Sequence, residues 1–213
     1  MTQSRLIPWT QTHSIRWYGP GEHCEDPVPG DLFLVATPGT TARAIQAGQW
    51  LVAHISEPEL KPYTWCNHAA IIRDARSTDV MGNGSLTVAG MPIVSQMSPK
   101  LWKAGHEYAP LWDYVHTLYG VIHFDMDDND RQYLLDADDS CAFIQYGYAQ
   151  YPGLVIAGLT GMHVGFSIGN AMICSVHTTH CASNLSLRPD RPESGVMPAH
   201  IAMWVDAKPP QQG

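Results

Sequence analysis

Short, unbroken apolar runs mark the strands of this chain. Asp31-Leu32-Phe33-Leu34-Val35-Ala36 has no polar position after its first residue, and Asn67-His68-Ala69-Ala70-Ile71-Ile72-Arg73-Asp74 begins its run directly after a histidine. Runs of this length bounded by turn residues, here Thr37-Pro38-Gly39, predict buried strands. Beyond that turn the spacing of Ala44, Ile45 and Ala47 predicts a helix capped by Thr40 or Thr41 and running to about Leu51. Ser85-Leu86-Thr87-Val88-Ala89, reached through the turn Met81-Gly82-Asn83-Gly84, reads as an antiparallel neighbour of the His68 strand. Tyr114 to Phe124 alternates loosely and is β-rich, so part of it is expected to be a strand.

Helical patterns dominate the second half. Asp127-Asp128-Asn129-Asp130 offers caps for a helix through roughly Phe143, and its acidic residues suit a helix start rather than a calcium loop. Tyr148 to Met162 is apolar but carries Gly153, Gly158 and Gly161, which fits a packed or a broken helix. Met172 to about Leu185 and Pro198 to Val205 predict two further helices. The leading segment, rich in Pro, Gly, Trp and His, lacks periodicity and ends in Pro27-Val28-Pro29-Gly30. The expected organisation is an irregular N-terminal arm over 1–29, a folded domain over 30–205 and a frayed tail over 206–213.

Composition narrows the class. A chain of 213 residues with 45% hydrophobic and 15% charged positions can bury a core of its own. A formal net charge of -8 with no basic block argues against a nucleic-acid partner. No apolar window is long enough for a transmembrane segment, and the start Met1-Thr2-Gln3-Ser4-Arg5-Leu6-Ile7-Pro8-Trp9 lacks the apolar core of a secretion signal. A cytoplasmic location is therefore expected, or delivery in a phage or other particle. Cys24, Cys66, Cys141, Cys174 and Cys181 are odd in number and form no CxxC pair, so no disulfide framework is expected.

The chemistry concentrates at Cys174. Gly169-Asn170-Ala171-Met172-Ile173-Cys174-Ser175-Val176 puts a thiol at the start of a helix, where the positive end of the dipole eases ionisation. His68, on a separate strand, is a base that could hold that thiolate as an ion pair. Another reading of the same helix is zinc: Cys174, His177 and Cys181 share one face at spacings of three and four, with His180 and His163 near them. Zinc on Cys174 would exclude its use as a free nucleophile, and the stretch matches no standard ligand spacing.

Taken in order, Gly30-Asp31-Leu32-Phe33-Leu34, Asn67-His68-Ala69-Ala70-Ile71-Ile72, Tyr151-Pro152-Gly153 and Ile173-Cys174-Ser175 resemble the circularly permuted, YiiX/LRAT-like branch of the NlpC/P60 papain-like superfamily, which places histidine before cysteine. The resemblance runs from Gly30 to about Met203, with Met197-Pro198-Ala199-His200-Ile201-Ala202 as the Pro-led closing helix. It implies an α+β, permuted papain-like fold in which a small antiparallel sheet packs against helices. It further implies Cys174 as nucleophile, His68 as base, Tyr151 in the substrate cleft, and hydrolysis of an amide or ester bond without a cofactor. Substrates of related proteins are cell-wall peptides or acyl lipids. The chain departs from the pattern where a polar residue should orient the histidine, a position that falls near Val88 with Thr87 beside it, and where His200 replaces an acidic residue.

The expectation is a cysteine peptidase or amidase-type hydrolase acting most plausibly on peptidoglycan peptide. The alternative of another class is a catalytically inactive assembly module, which the missing orienter and the arm would suit. The arm and Trp9, Trp17, Trp102 and Trp112 would then meet a protein partner.

Overall fold

The structure, a computed structural model, describes residues 13–74, 90–99, 105–147, 155–156, 159, 172–183 and 195–210. Its strands are β1 (His13–Tyr18), β2 (Leu32–Val35), β3 (His68–Asp74), β4 (Pro92–Ser98), β5 (Gly105–Pro110) and β6 (Tyr119–Phe124), and its long helices are α1 (Thr40–Ile55), α2 (Asp128–Ser140), α3 (Cys174–Ser183) and α4 (Pro198–Trp204). The fold is α+β. All six strands join one sheet in the order β1-β6-β2-β3-β4-β5, and each neighbouring pair is antiparallel.

The period of two along each strand divides the core. Leu32, Leu34, Ala69, Ile71 and Met97 pack into the cluster that also holds the helices, whereas Phe33, Val35, Ala70, Ile72 and Val94 belong to a second cluster. Both faces of β2 and β3 are thus covered, which is why their sequences run apolar without alternating. Each large side chain buried in this way contributes on the order of 1.5–3 kcal/mol.

Several local expectations change. Residues 1–29 are not irregular throughout, because β1 pairs with β6 from His13 opposite Phe124 to Tyr18 opposite Tyr119. Its burial is only partial, so it lacks an apolar run and hides among turn residues. Neither Thr40 nor Thr41 caps α1: the N-cap is Gly39, with no side-chain cap, and the helix continues to Ile55. Asp127 does cap α2, its carboxylate accepting from the Asp130 N–H at 2.8 Å. Ser85–Ala89 lies outside the described residues, and the strand beside β3 is β4. The sequence pattern gave no sign of β5, whose Gly-His-Glu-Tyr-Ala-Pro tolerates a glycine and a proline because it lies at the sheet edge.

Helix α3 is buried along nearly all its length yet carries many hydroxyls and histidines. Its hydroxyls are satisfied locally: Ser175 Oγ donates to the Val196 carbonyl at 2.7 Å, Thr178 Oγ1 to Cys174 at 2.9 Å and Thr179 Oγ1 to Ser175 at 2.8 Å. The helix start is braced from the side by Gln145–Gly147, which bridge Gly105 at one end and Met172 at the other. The Gly147 N–H donates to the Met172 carbonyl at 2.8 Å, two residues before Cys174.

Candidate active site

Cys174 is the first residue of α3 and His68 the first of β3, and each side chain favours the charged form of the other. Ile173, just outside the helix, gives its carbonyl to the His177 N–H at 2.9 Å, so the helix dipole points its positive end at the sulfur. Backbone N–H groups of Ala69 and Ser175 also favour the thiolate. Burial pushes thiol and imidazole alike towards their neutral forms, but the mutual attraction of their opposite charges prevails. The Cys174 thiol lies below its ordinary value and His68 above it. Cys66 serves as the contrast within the same core: burial, then the neighbouring Cys174 charge, push its thiol up, and its Sγ faces the Tyr63 carbonyl at 3.7 Å.

The orienter absent from the sequence reading is Gln96 on β4. Its Oε1 lies 2.5 Å from His68 Nε2 and also accepts from the Tyr114 hydroxyl at 2.5 Å, while its Nε2 donates to Glu107 Oε1 at 3.1 Å. With the carboxylate taking the amide N–H, Oε1 must face the imidazole, and the imidazole must carry its proton on Nε2. That leaves Nδ1 for Cys174. Gln96 sits opposite Glu107 in the β4–β5 register, so the strand pairing itself delivers the carboxylate to the amide. Val88 and Thr87 lie outside the described residues. A signal for Gln96 existed in Pro-Ile-Val-Ser-Gln-Met-Ser, where polar residues inside a buried strand must find partners.

A cavity of about 430 Å³ reaches His68 and Gln96, walled by Gly39 and Thr41 at the start of α1, Tyr114 and the carboxylates of Glu107 and Asp113. Asn67 shapes its rim by accepting from the Thr37 N–H at 2.9 Å and donating to the Thr37 carbonyl at 3.0 Å. Cys174 itself is 1% exposed. Tyr151, assigned to the cleft by resemblance, lies outside the described residues.

A second polar cluster occupies the helix-covered face of the sheet. Asp138 Oδ1 accepts from Ser95 Oγ at 2.6 Å and lies 3.0 Å from His177 Nε2, while Oδ2 meets Arg73 Nη1 at 3.2 Å. Of the zinc set drawn from the sequence, His177 and Cys181 do stand together, but Cys141 completes their group in place of Cys174, which is engaged by His68. On a real helix a step of three from Cys174 to His177 turns the thiol towards β3 and the imidazole towards α2. His200 has a structural task, with Nδ1 accepting from the Met197 N–H at 2.9 Å and Nε2 lying 3.0 Å from Glu57. Of the tryptophans expected to be exposed, Trp112 is, whereas Trp17 packs edge-on against Trp65 with ring centroids 5.1 Å apart. Trp9 and Trp102 lie outside the described residues. Among the described residues no helix is long and apolar enough to cross a membrane.

No protein-family model and no curated protein matches the chain. Among solved structures, it is similar to the metalloprotein yiiX from Escherichia coli O157:H7, described as DUF1105, at 18% identity over 65% of this chain and 69% of that one, with a TM-score of 0.36.

Proposed function

We propose that the chain is a cysteine hydrolase cleaving an amide or ester bond, with Cys174 as nucleophile, His68 as general base and acid, and Gln96 as the residue that positions His68. The observation carrying this reading is the buried Cys174–His68 pair with its imidazole fixed from behind by Gln96. In the mechanism, the Cys174 thiolate adds to the substrate carbonyl carbon and the electron pair moves onto oxygen. Backbone N–H groups at the start of α3 stabilise that oxyanion. His68 then gives its proton to the departing amine or alcohol, leaving a thioester on Cys174. A water attacks the thioester, His68 takes its proton, and the thiolate leaves with the acid as product.

For the substrate, Glu107 and Asp113 on the cavity wall suit a peptide bearing a free amine better than an acidic lipid headgroup. Peptidoglycan peptide is therefore the class to try first, and the order of histidine before cysteine supports the permuted NlpC/P60 reading. The experiment is single-turnover hydrolysis of amine-bearing peptides and of acyl esters, with intact-mass detection of an acyl group on Cys174. Loss of turnover in both Cys174→Ala and His68→Ala, with melting temperatures unchanged, is the expected result. Full activity in either variant overturns the assignment. The near-complete burial of Cys174 favours a second reading, an assembly module without catalysis, and an unreactive Cys174 across all substrates and pH values would establish it.

A further inference from the structure

We propose that Cys141, His177 and Cys181 form a zinc site that ties the end of α2 to the middle of α3. The ligand atoms of the three residues all lie within 4.8 Å of one another, and all three side chains are buried. They come from separate elements. Cys141 is the C-cap residue of α2, while His177 and Cys181 are one helical turn apart on α3 and so share a face. Gathering donors from two elements in this way is how structural zinc sites are commonly built.

The second observation is at His177. Its Nδ1 is buried and has no hydrogen-bond partner, a costly condition for a polar atom with no water to reach. Its Nε2 stands 3.0 Å from Asp138 Oδ1, close enough for an ion pair though off the line of a hydrogen bond. Asp138 is itself fixed by Ser95 and Arg73. A carboxylate behind one imidazole nitrogen, with the other nitrogen unsatisfied, is the arrangement that orients a histidine towards a metal. The other grouping that shares His177, with His106 and Asp138, needs no cation, since Ser95 Oγ lies 2.7 Å from His106 Nε2 and donates to Asp138 Oδ1.

Charge and hardness select the ion. Two thiolates neutralise a divalent cation, so the loaded site buries no net charge, and binding releases the thiol protons to solvent. Sulfur and imidazole donors suit zinc and do not suit magnesium or calcium. None of the three residues lines the cavity at His68, so the site lies apart from it, and three protein donors leave the fourth position of a tetrahedral zinc to a further group. Cys174 stands two turns before Cys181, about 10.5 Å away along the helix axis, and is engaged by His68, so it stays free of the metal.

The test loads the reduced full-length protein with zinc, and separately with cobalt, removes excess and measures metal per chain. About one equivalent is expected, with thiolate-to-cobalt charge-transfer absorption in the near ultraviolet. Cys141→Ser and Cys181→Ser should each lose the metal, and Cys174→Ala should keep it. In the wild type, zinc should shield Cys141 and Cys181 from alkylation until a chelator is added, a readout that stands even where the serine variants fail to fold. Folded, reduced wild type that binds neither ion overturns the proposal. So do zinc retained by both serine variants and a Cys141–Cys181 disulfide in protein isolated without oxidant. Hydrolytic activity enters none of these measurements, so failure of the clasp and failure of the hydrolase reading are distinguishable.

Discussion

Ser95 and Gln96 are chain neighbours that serve opposite faces of the sheet: Ser95 Oγ donates to Asp138 at 2.6 Å, and Gln96 Oε1 lies 2.5 Å from His68 Nε2. Alternation along β4 therefore supplies one residue to the cluster under the helices and the next to the Cys174–His68 pair. A slip of one residue in this strand would exchange the two and empty both sites.

The pH dependence of Cys174 follows from its partner. The thiol lies below its ordinary value and His68 above its own, so the thiolate–imidazolium pair fills a window between them. Alkylation of Cys174 should reach its plateau below the free-thiol value of about 8.5, and the proposed hydrolysis should fall only when His68 loses its proton. In His68→Ala, burial is opposed only by the helix start and the backbone N–H groups of Ala69 and Ser175, and the alkylation profile should move to higher pH than in the wild type. Rate against pH by mass spectrometry checks this, and identical profiles in the two proteins would refute the pairing.

With Cys174 and His68 as the proposed dyad, Gln96 would act through His68, and its loss should appear in kcat. Gln96→Ala is expected to lower kcat by about 10–100-fold with a smaller change in KM, and to move the alkaline limb down, because the Gln96 hydrogen bond helps hold the imidazole protonated. Gln96→Glu should move that limb up instead, at some cost in stability from its cross-strand neighbour Glu107. A purely structural Gln96 would leave both limbs in place.

Arg73 anchors the cluster beneath the helices. Its Nη1 donates to Asp138 at 3.2 Å, Asp139 at 2.8 Å and the Tyr108 hydroxyl at 2.9 Å, and its side chain is 3% exposed. Arg73→Ala leaves a buried carboxylate without its cation and should cost about 3–5 kcal/mol in urea unfolding. A loss below about 1 kcal/mol would mean that the histidines alone suffice for Asp138.

Gly105 is held against the segment that braces the start of α3. A Cβ there would come 2.8 Å from the Ile144 carbonyl oxygen, which is backbone and cannot swing aside. Gly105→Ala should destabilise by about 1–3 kcal/mol and, by displacing Gln145–Gly147 from Met172, alter the alkylation rate of Cys174. Unchanged stability and reactivity would show the contact to be slack.

What the sequence disclosed was local. The runs at Leu32 and Ala69, the cap at Asp127 and the thiol at a helix start are each written within a few residues, and the elements appear where those signals stand. Gln96, Cys141 and β1 owe their places to partners far along the chain. Gln96 reaches His68 through the β3–β4 pairing, in which Ile71 lies opposite Ser95, a register no short window contains. Cys141 joins His177 only because α2 and α3 pack together, and the heptad-like spacing on α3 pointed to Cys174 instead. β1 is legible only from β6, which it pairs with more than a hundred residues later, as His13 does with Phe124.

All five cysteines are free and buried, so the folded chain shows almost no thiol to solvent. Thiol exposure is therefore a clock for opening: each cysteine dates the moment its own part of the core first admits a reagent. Cys174, next to the cavity wall, would record the smallest openings, and Cys66 beside it the slower ones. Cys141 and Cys181 would be marked when α2 parts from α3, and Cys24 when the layer on the far side of the sheet lifts.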